Sequence, residues 1–197
     1  MKYVKKINVS SKESSISCDI MKINQELKGA KYMKLYLKQR VLSLADRYNF
    51  YDENKNIKYK SIPKLFSIRH KMKLVDIDDN FKFFIQKRLF RFKRTYVVLD
   101  QDKNVVAKVS KNLITFTNRM KVETSFGQMD LKGNIFAFNF NLTDQDNNLK
   151  FSVAKKIFAI GDSYELDIVD EENLELWLAV IIIIDAIVHN KKRNNDN

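Results

Sequence analysis

The amino-acid sequence predicts a mainly β fold: a closed antiparallel barrel of about twelve strands enclosing a C-terminal hydrophobic helix. Three observations carry this expectation. Short apolar blocks recur every 24 residues, Asp and Asn recur at fixed offsets behind them, and the most apolar stretch is one run near the end, Leu174 to Val188. Periods of roughly 20–50 residues are the signature of repeated supersecondary units.

Residues 1–31 precede the repeat. Their Lys5-Lys6 pair leads into Ser10-Ser11-Lys12-Glu13-Ser14-Ser15 rather than an apolar run, so they do not read as a signal peptide. They lack a clean helical or strand period and read as a flexible extension, with a short strand around Ile16 to Ile23 and the only cysteine, Cys18. Met33 opens the patterned region and is also a candidate translation start. The domain is bounded at 32–190, and a basic polar tail follows at 191–197.

The repeat begins with Arg40-Val41-Leu42-Ser43-Leu44. Lys64-Leu65-Phe66-Ser67-Ile68, Arg88-Leu89-Phe90-Arg91-Phe92 and Asn112-Leu113-Ile114-Thr115-Phe116 follow at 24-residue steps, and Lys156-Ile157-Phe158-Ala159-Ile160 comes near the end. Four positions beyond each block stands a large residue: Tyr48, Met72, Tyr96, Met120 and Tyr164; Phe140 anchors a sixth, shortened unit. Four further come Asp52, Asp76, Asp100 and Asp144, and four beyond those Asn56, Asn80, Asn104 and Asn148. Each unit reads as a short apolar strand, a tight connection, a second alternating strand and a polar turn. Six such units give about twelve up-and-down strands, and closing the sheet removes its edges.

A twelve-stranded barrel is too wide for its inward side chains to fill. A helix over about 171–189 supplies the plug. Asp170 is its expected cap, Glu171 and Glu172 suit its first turn, and Lys191, Lys192 and Arg193 suit its end. A helix apolar on all sides lies inside a protein or a membrane. The run is nearer fifteen residues than the ~20 of a bilayer span, and Glu175 and Asp185 interrupt it, so the protein interior is favoured and no transmembrane span is expected. Asp185, once buried, must find a hydrogen-bond or cationic partner, or stay protonated.

The segment Tyr32-Met33-Lys34-Leu35-Tyr36-Leu37-Lys38-Gln39-Arg40-Val41-Leu42-Ser43-Leu44, with Asp46, Tyr48 and the Asp52-Glu53 turn, resembles the start of LURP-one-related proteins. Lys64-Leu65-Phe66-Ser67-Ile68, Lys155-Lys156-Ile157-Phe158 leading to Gly161-Asp162-Ser163-Tyr164, and the closing Leu178-Ala179-Val180 to Ile184-Asp185 helix are similar to that family too. The resemblance covers about Met33 to Val188. It implies the tubby C-terminal-like fold, a twelve-stranded barrel around a central hydrophobic helix, shared with phospholipid scramblases. Tubby relatives bind phosphoinositides and scramblases are linked to bilayer lipids, roles that transfer by fold analogy alone. The sequence shows no catalytic motif of the family, no cysteine-rich palmitoylation stretch and no scramblase-type calcium motif.

Composition narrows the chemistry. Four Gly, one Cys and two His argue against a disulfide scaffold, a Cys/His zinc site and a Gly-rich phosphate cradle, so neither cofactor nor metal is expected. Asp100-Gln101-Asp102-Lys103-Asn104 and Asp144-Gln145-Asp146-Asn147-Asn148 imitate half an EF-hand loop. The Gly and Glu such a loop requires are Val105 and Lys111 in one, Leu149 and Lys155 in the other, so both read as turns. His70, His189 and Cys18 have no activating neighbours in sequence, and no enzyme is predicted.

The net charge of +12 is uneven: residues 55–94 hold 13 Lys/Arg against 3 Asp, and residues 144–185 hold 3 Lys against 10 Asp/Glu. The candidate binding residues are Lys64, Arg69, Lys71, Lys73, Lys87, Arg88, Arg91, Lys93 and Arg94, interleaved with Phe66, Phe81, Phe83, Phe84, Phe90 and Phe92. They fit a cationic face for anionic membrane lipid or solvated outer strand positions. No reader motif for nucleic acid is visible. The functional expectation is a cytoplasmic binding or regulatory module, peripheral at the membrane if lipid is its ligand. Two alternatives stay open: a structural or protein-interaction domain, and an enzyme with a barrel-mouth pocket.

Overall fold

Twelve strands follow one another around a closed antiparallel barrel. In the computed structural model, which describes residues 32–40, 47–64, 71–89, 93–112, 120–157 and 162–195, they are β1 (Met33–Arg40), β2 (Arg47–Tyr51), β3 (Ile57–Pro63), β4 (Met72–Asp76), β5 (Phe81–Arg88), β6 (Lys93–Leu99), β7 (Val105–Asn112), β8 (Met120–Thr124), β9 (Gly127–Asn134), β10 (Asn139–Thr143), β11 (Leu149–Ile157) and β12 (Asp162–Ile168). β1 returns to pair with β12, from Met33 opposite Ile168 to Lys38 opposite Ser163, and this seam closes the sheet. The helix α1 (Leu174–Asn195) follows.

The repeat is phased differently from the sequence reading. The predicted short apolar strands start at Arg40, Lys64, Arg88, Asn112 and Lys156, where the odd-numbered strands are ending; most of each block lies outside the described residues. The odd strands are the stretches before the blocks, such as Met33-Lys34-Leu35-Tyr36-Leu37. Half-exposed strands alternate apolar with polar residues, so they look less hydrophobic than the blocks they precede. The second strand of each unit falls where expected. Tyr48, Met72, Tyr96, Met120, Phe140 and Tyr164 lie on the even-numbered strands, and all are buried in the core.

What recurs at 24 residues is a turn with a bulge. Asp52, Asp76, Asp100 and Asp144 each accept the backbone N–H of the Asn four positions on, at 2.7–2.9 Å, and each bonds that Asn's side chain. Lys55, Asp79, Lys103 and Asn147, one before the Asn, take the left-handed conformation that a three-residue hairpin loop requires. A register shift beside each turn leaves Lys58, Lys82, Val106 and Lys150 as extra residues. Bulges raise local twist, which helps a sheet curl into a barrel.

The shortened unit departs from this pattern. Thr124 and Gly127 form a tight turn, with the Thr124 hydroxyl accepting from the Phe126 N–H and donating to the Gly127 carbonyl. A single 3-10 turn, Ile135–Ala137, then links β9 to β10. Gly133 at its entrance has φ 106, and a Cβ there would sit 2.6 Å from the Asn139 carbonyl.

The helix fills the barrel. From Leu176 to Val188 every side chain is buried, in one cluster with the inward residues of the strands, and Trp177 packs against Phe151 of β11. Each fully buried aliphatic side chain contributes about 1.5–3 kcal/mol. Asp170 does not cap the backbone as expected; its carboxylate accepts the side-chain amide of Asn173 beside a 3-10 turn, Glu171–Asn173. The helix continues to Asn195, so most of the expected tail extends it. The extension 1–31, with its predicted strand, lies outside the described residues.

Candidate functional site

Register decides which way each cation points. On β4, β5 and β6 the core residues are Met72 and Leu74, Ile85, and Tyr96 and Val98. Alternation therefore turns Lys71, Lys73, Phe84, Gln86, Arg88, Lys93, Val97 and Leu99 to the outer side of the sheet, where Gln86, Val97 and Leu99 are nonetheless buried. Lys64 donates its backbone N–H to the carbonyl of Lys71, which extends the same wall to the end of β3. Five of the candidate cations thus share one outer face: Lys64, Lys71, Lys73, Arg88 and Lys93.

Two others turn the opposite way. Lys87 stands opposite Tyr96 and Arg94 opposite Lys111, all facing inward at the barrel end where the helix terminates. Arg94 Nη1 reaches the Ile187 carbonyl at 3.5 Å. Lys111, 7% exposed, holds its ammonium 4.5 Å from the centre of the Phe136 ring, a cation–π geometry. Arg69 and Arg91 lie outside the described residues.

The outer face contains a groove of about 200 Å³. Lys64, Lys71, Lys73 and Lys103 rim it, and Met72, Phe84, Ile85, Gln86 and Leu99 line its floor. Lys73 and Phe84 are cross-strand partners, with the ammonium 5.8 Å from the ring centre. Phe84 also meets Phe81, ring centres 4.4 Å apart. Sequence reasoning missed Lys103. It stood within an Asp-Asn turn and was absorbed by that reading, and the one signal in the sequence was a lysine among the turn's acids, at a place where the backbone is left-handed.

The acidic sector lies across the barrel. Lys34 on β1 bridges Glu165 (3.4 Å) and Asp167 (3.7 Å) on β12. Burial pushes the Asp167 carboxyl above its ordinary range, against the pull of Lys34. At the mouth where the helix starts, the Tyr59 hydroxyl donates to Glu175 at 3.2 Å, and Lys82 joins Glu175 to Asp76. Burial, with the Glu175 charge, raises the Tyr59 phenol to about 12. Asp185 is fully buried, as its place in the helix predicts, and its Oδ2 accepts the Tyr48 hydroxyl at 2.8 Å. No group of three or more His, Cys, Asp or Glu poised for a metal occurs among the described residues. Of the EF-hand-like aspartates, Asp100 and Asp144 bond the Asn at the end of their own turns with both carboxylate oxygens.

A closed twelve-stranded antiparallel barrel threaded by an apolar C-terminal helix is the tubby C-terminal-like architecture. The family model of the LURP-one-related proteins matches residues 33–185, and the chain belongs to that family. It is similar to the uncharacterized protein YxjI of Bacillus subtilis (strain 168), 27% identical over 158 residues that cover 80% of this chain and 95% of the relative. An X-ray structure of a protein from Arabidopsis thaliana shares the fold with a TM-score of 0.54 at 12% identity, covering 80% of this chain and 95% of that one. No helix among the described residues is long and apolar enough to cross a membrane.

Proposed function

We propose that this chain is a non-catalytic binding module, cytoplasmic and peripheral to the membrane, that takes anionic phospholipid headgroups at the lysine-rimmed groove of β4–β6. The observation that carries the reading is the junction of four lysines with an apolar floor of Phe84 and Leu99. Ammonium groups match a headgroup phosphate, and the floor suits the adjoining glycerol and acyl carbons. Among the described residues the lining offers positive charge without a carboxylate or histidine, which supports binding over acid–base chemistry.

Flotation with phosphatidylcholine vesicles, alone or mixed with phosphatidylserine, tests the proposal at low and high salt. Anionic vesicles alone recruit the protein, less so at high salt as the charges are screened. Combined Lys71→Glu and Lys73→Glu lowers recruitment at least about tenfold. Lys132→Glu on β9, away from the groove, leaves it unchanged. Equal recruitment by neutral and anionic vesicles at low salt sinks the reading. Preferential retention by duplex DNA over anionic vesicles assigns the groove to nucleic acid instead.

A further inference from the structure

Charge on this barrel is ordered along its axis as well as around it. At the end where α1 begins lie the Asp–Asn turns and the Asp170-Glu171-Glu172 entrance, with Lys55 and Lys103 the only lysines within those turns. At the opposite end Lys64 follows β3 directly, β5 ends on Arg88, β6 begins on Lys93, Lys111 stands next to the end of β7, and Arg94 reaches the Ile187 carbonyl of the helix. Leu89 follows directly after β5 at this cationic end and is 60% exposed, between exposed Arg88 and exposed Lys93. Exposed apolar residues at the other end, Ile77 and Phe126 among them, sit on the turns of the acidic rim.

An anionic surface attracts one of these ends and repels the other, because fields of opposite sign face it. Among the described residues, the one exposed leucine, Leu89, stands at the cationic end. We propose that the barrel meets an anionic bilayer end-on, by the end at which the helix terminates, with Leu89 entering the interfacial region while Arg88 and Lys93 engage headgroups. The proposal rests on the lipid reading above and adds which end faces the membrane and which residue penetrates it. Of the groove lysines, Lys64 and Lys71 stand at the same end as Leu89, and Lys103 stands at the other.

The test uses the full chain with Cys18→Ser and one new cysteine, Leu89→Cys or Phe126→Cys, carrying a polarity-sensitive fluorophore. On vesicles of phosphatidylcholine mixed with phosphatidylserine, the probe at position 89 brightens, shifts to the blue and is quenched by a shallow nitroxide lipid. The probe at 126 does not change. In the unlabelled chain Leu89→Asp weakens partitioning roughly tenfold or more, and Leu89→Phe preserves it. Recruitment with a silent probe at 89, or with a response at 126, overturns the orientation and leaves the lipid reading standing. Failure of the parent chain to bind anionic vesicles overturns both.

Discussion

Asp185 is the residue at which sequence and structure meet most directly. An acid inside an otherwise apolar helix announces itself in the sequence, and so does the requirement for a polar partner. Its partner was also visible, as Tyr48, the first anchor of the repeat, but their pairing was not. It depends on the rotation of the helix inside the barrel, which no local pattern encodes. The bond runs from the buried Tyr48 hydroxyl to Asp185 Oδ2, while the Tyr48 backbone N–H donates to Ser61 Oγ, so β2, β3 and the helix are tied at one point. Removing either partner from such a buried bond costs about 1–3 kcal/mol. Tyr48→Phe and Asp185→Asn are each expected to lower stability by about that amount in urea titrations. The double variant should lose less than the sum, with a coupling of about 0.5–3 kcal/mol. Strict additivity would show that the two groups do not depend on each other.

At the scale of elements, the turns were the most legible part of the sequence and the strands beside them less so. Asp and Asn at fixed spacing have a local physical cause, since each Asp oxygen bonds within its own five residues. The facing of the cations had no such local cause. Lys87 and Arg88 are neighbours in sequence, yet one points into the barrel and the other out. That choice follows from cross-strand register, and a bulge in a neighbouring hairpin shifts it. The turns also make a prediction about acid stability. In the Asp144 turn, the Asn148 side chain first, then its backbone N–H and the Lys150 ammonium, hold the Asp144 carboxyl down to about 2. A lowered carboxyl contributes stability above its unfolded value, 3.8, and that contribution disappears as pH falls through about 2. Asn148→Ala and Lys150→Met should each move the Asp144 midpoint upward in an NMR titration. Asp144→Asn should flatten the decline in stability across the same window. An Asp144 midpoint that ignores both substitutions would remove these contacts as its cause.

For the whole molecule, the decisive contact is the seam. Eleven of the twelve strand pairings join neighbours along the chain, and only β1 with β12 joins its distant parts. Loop closure makes such a pairing entropically expensive until the intervening hairpins exist. Contacts distant in sequence also slow folding. The hairpins around β4 therefore have reason to form early, and the seam, with the helix it encloses, late. Leu74 on β4 and Leu35 on β1 are equally suited to test this order, because both are fully buried leucines in the same core. Truncation of either to Ala costs about 2–5 kcal/mol at equilibrium, but the loss should divide differently between the rates. Leu74→Ala is expected to slow refolding, whereas Leu35→Ala should act mainly by accelerating unfolding. Stopped-flow measurements using Trp177, the single tryptophan and itself buried in the helix, report both rates from inside the barrel. Equal slowing of refolding by the two substitutions would place seam closure within the transition state and reject the order argued from topology.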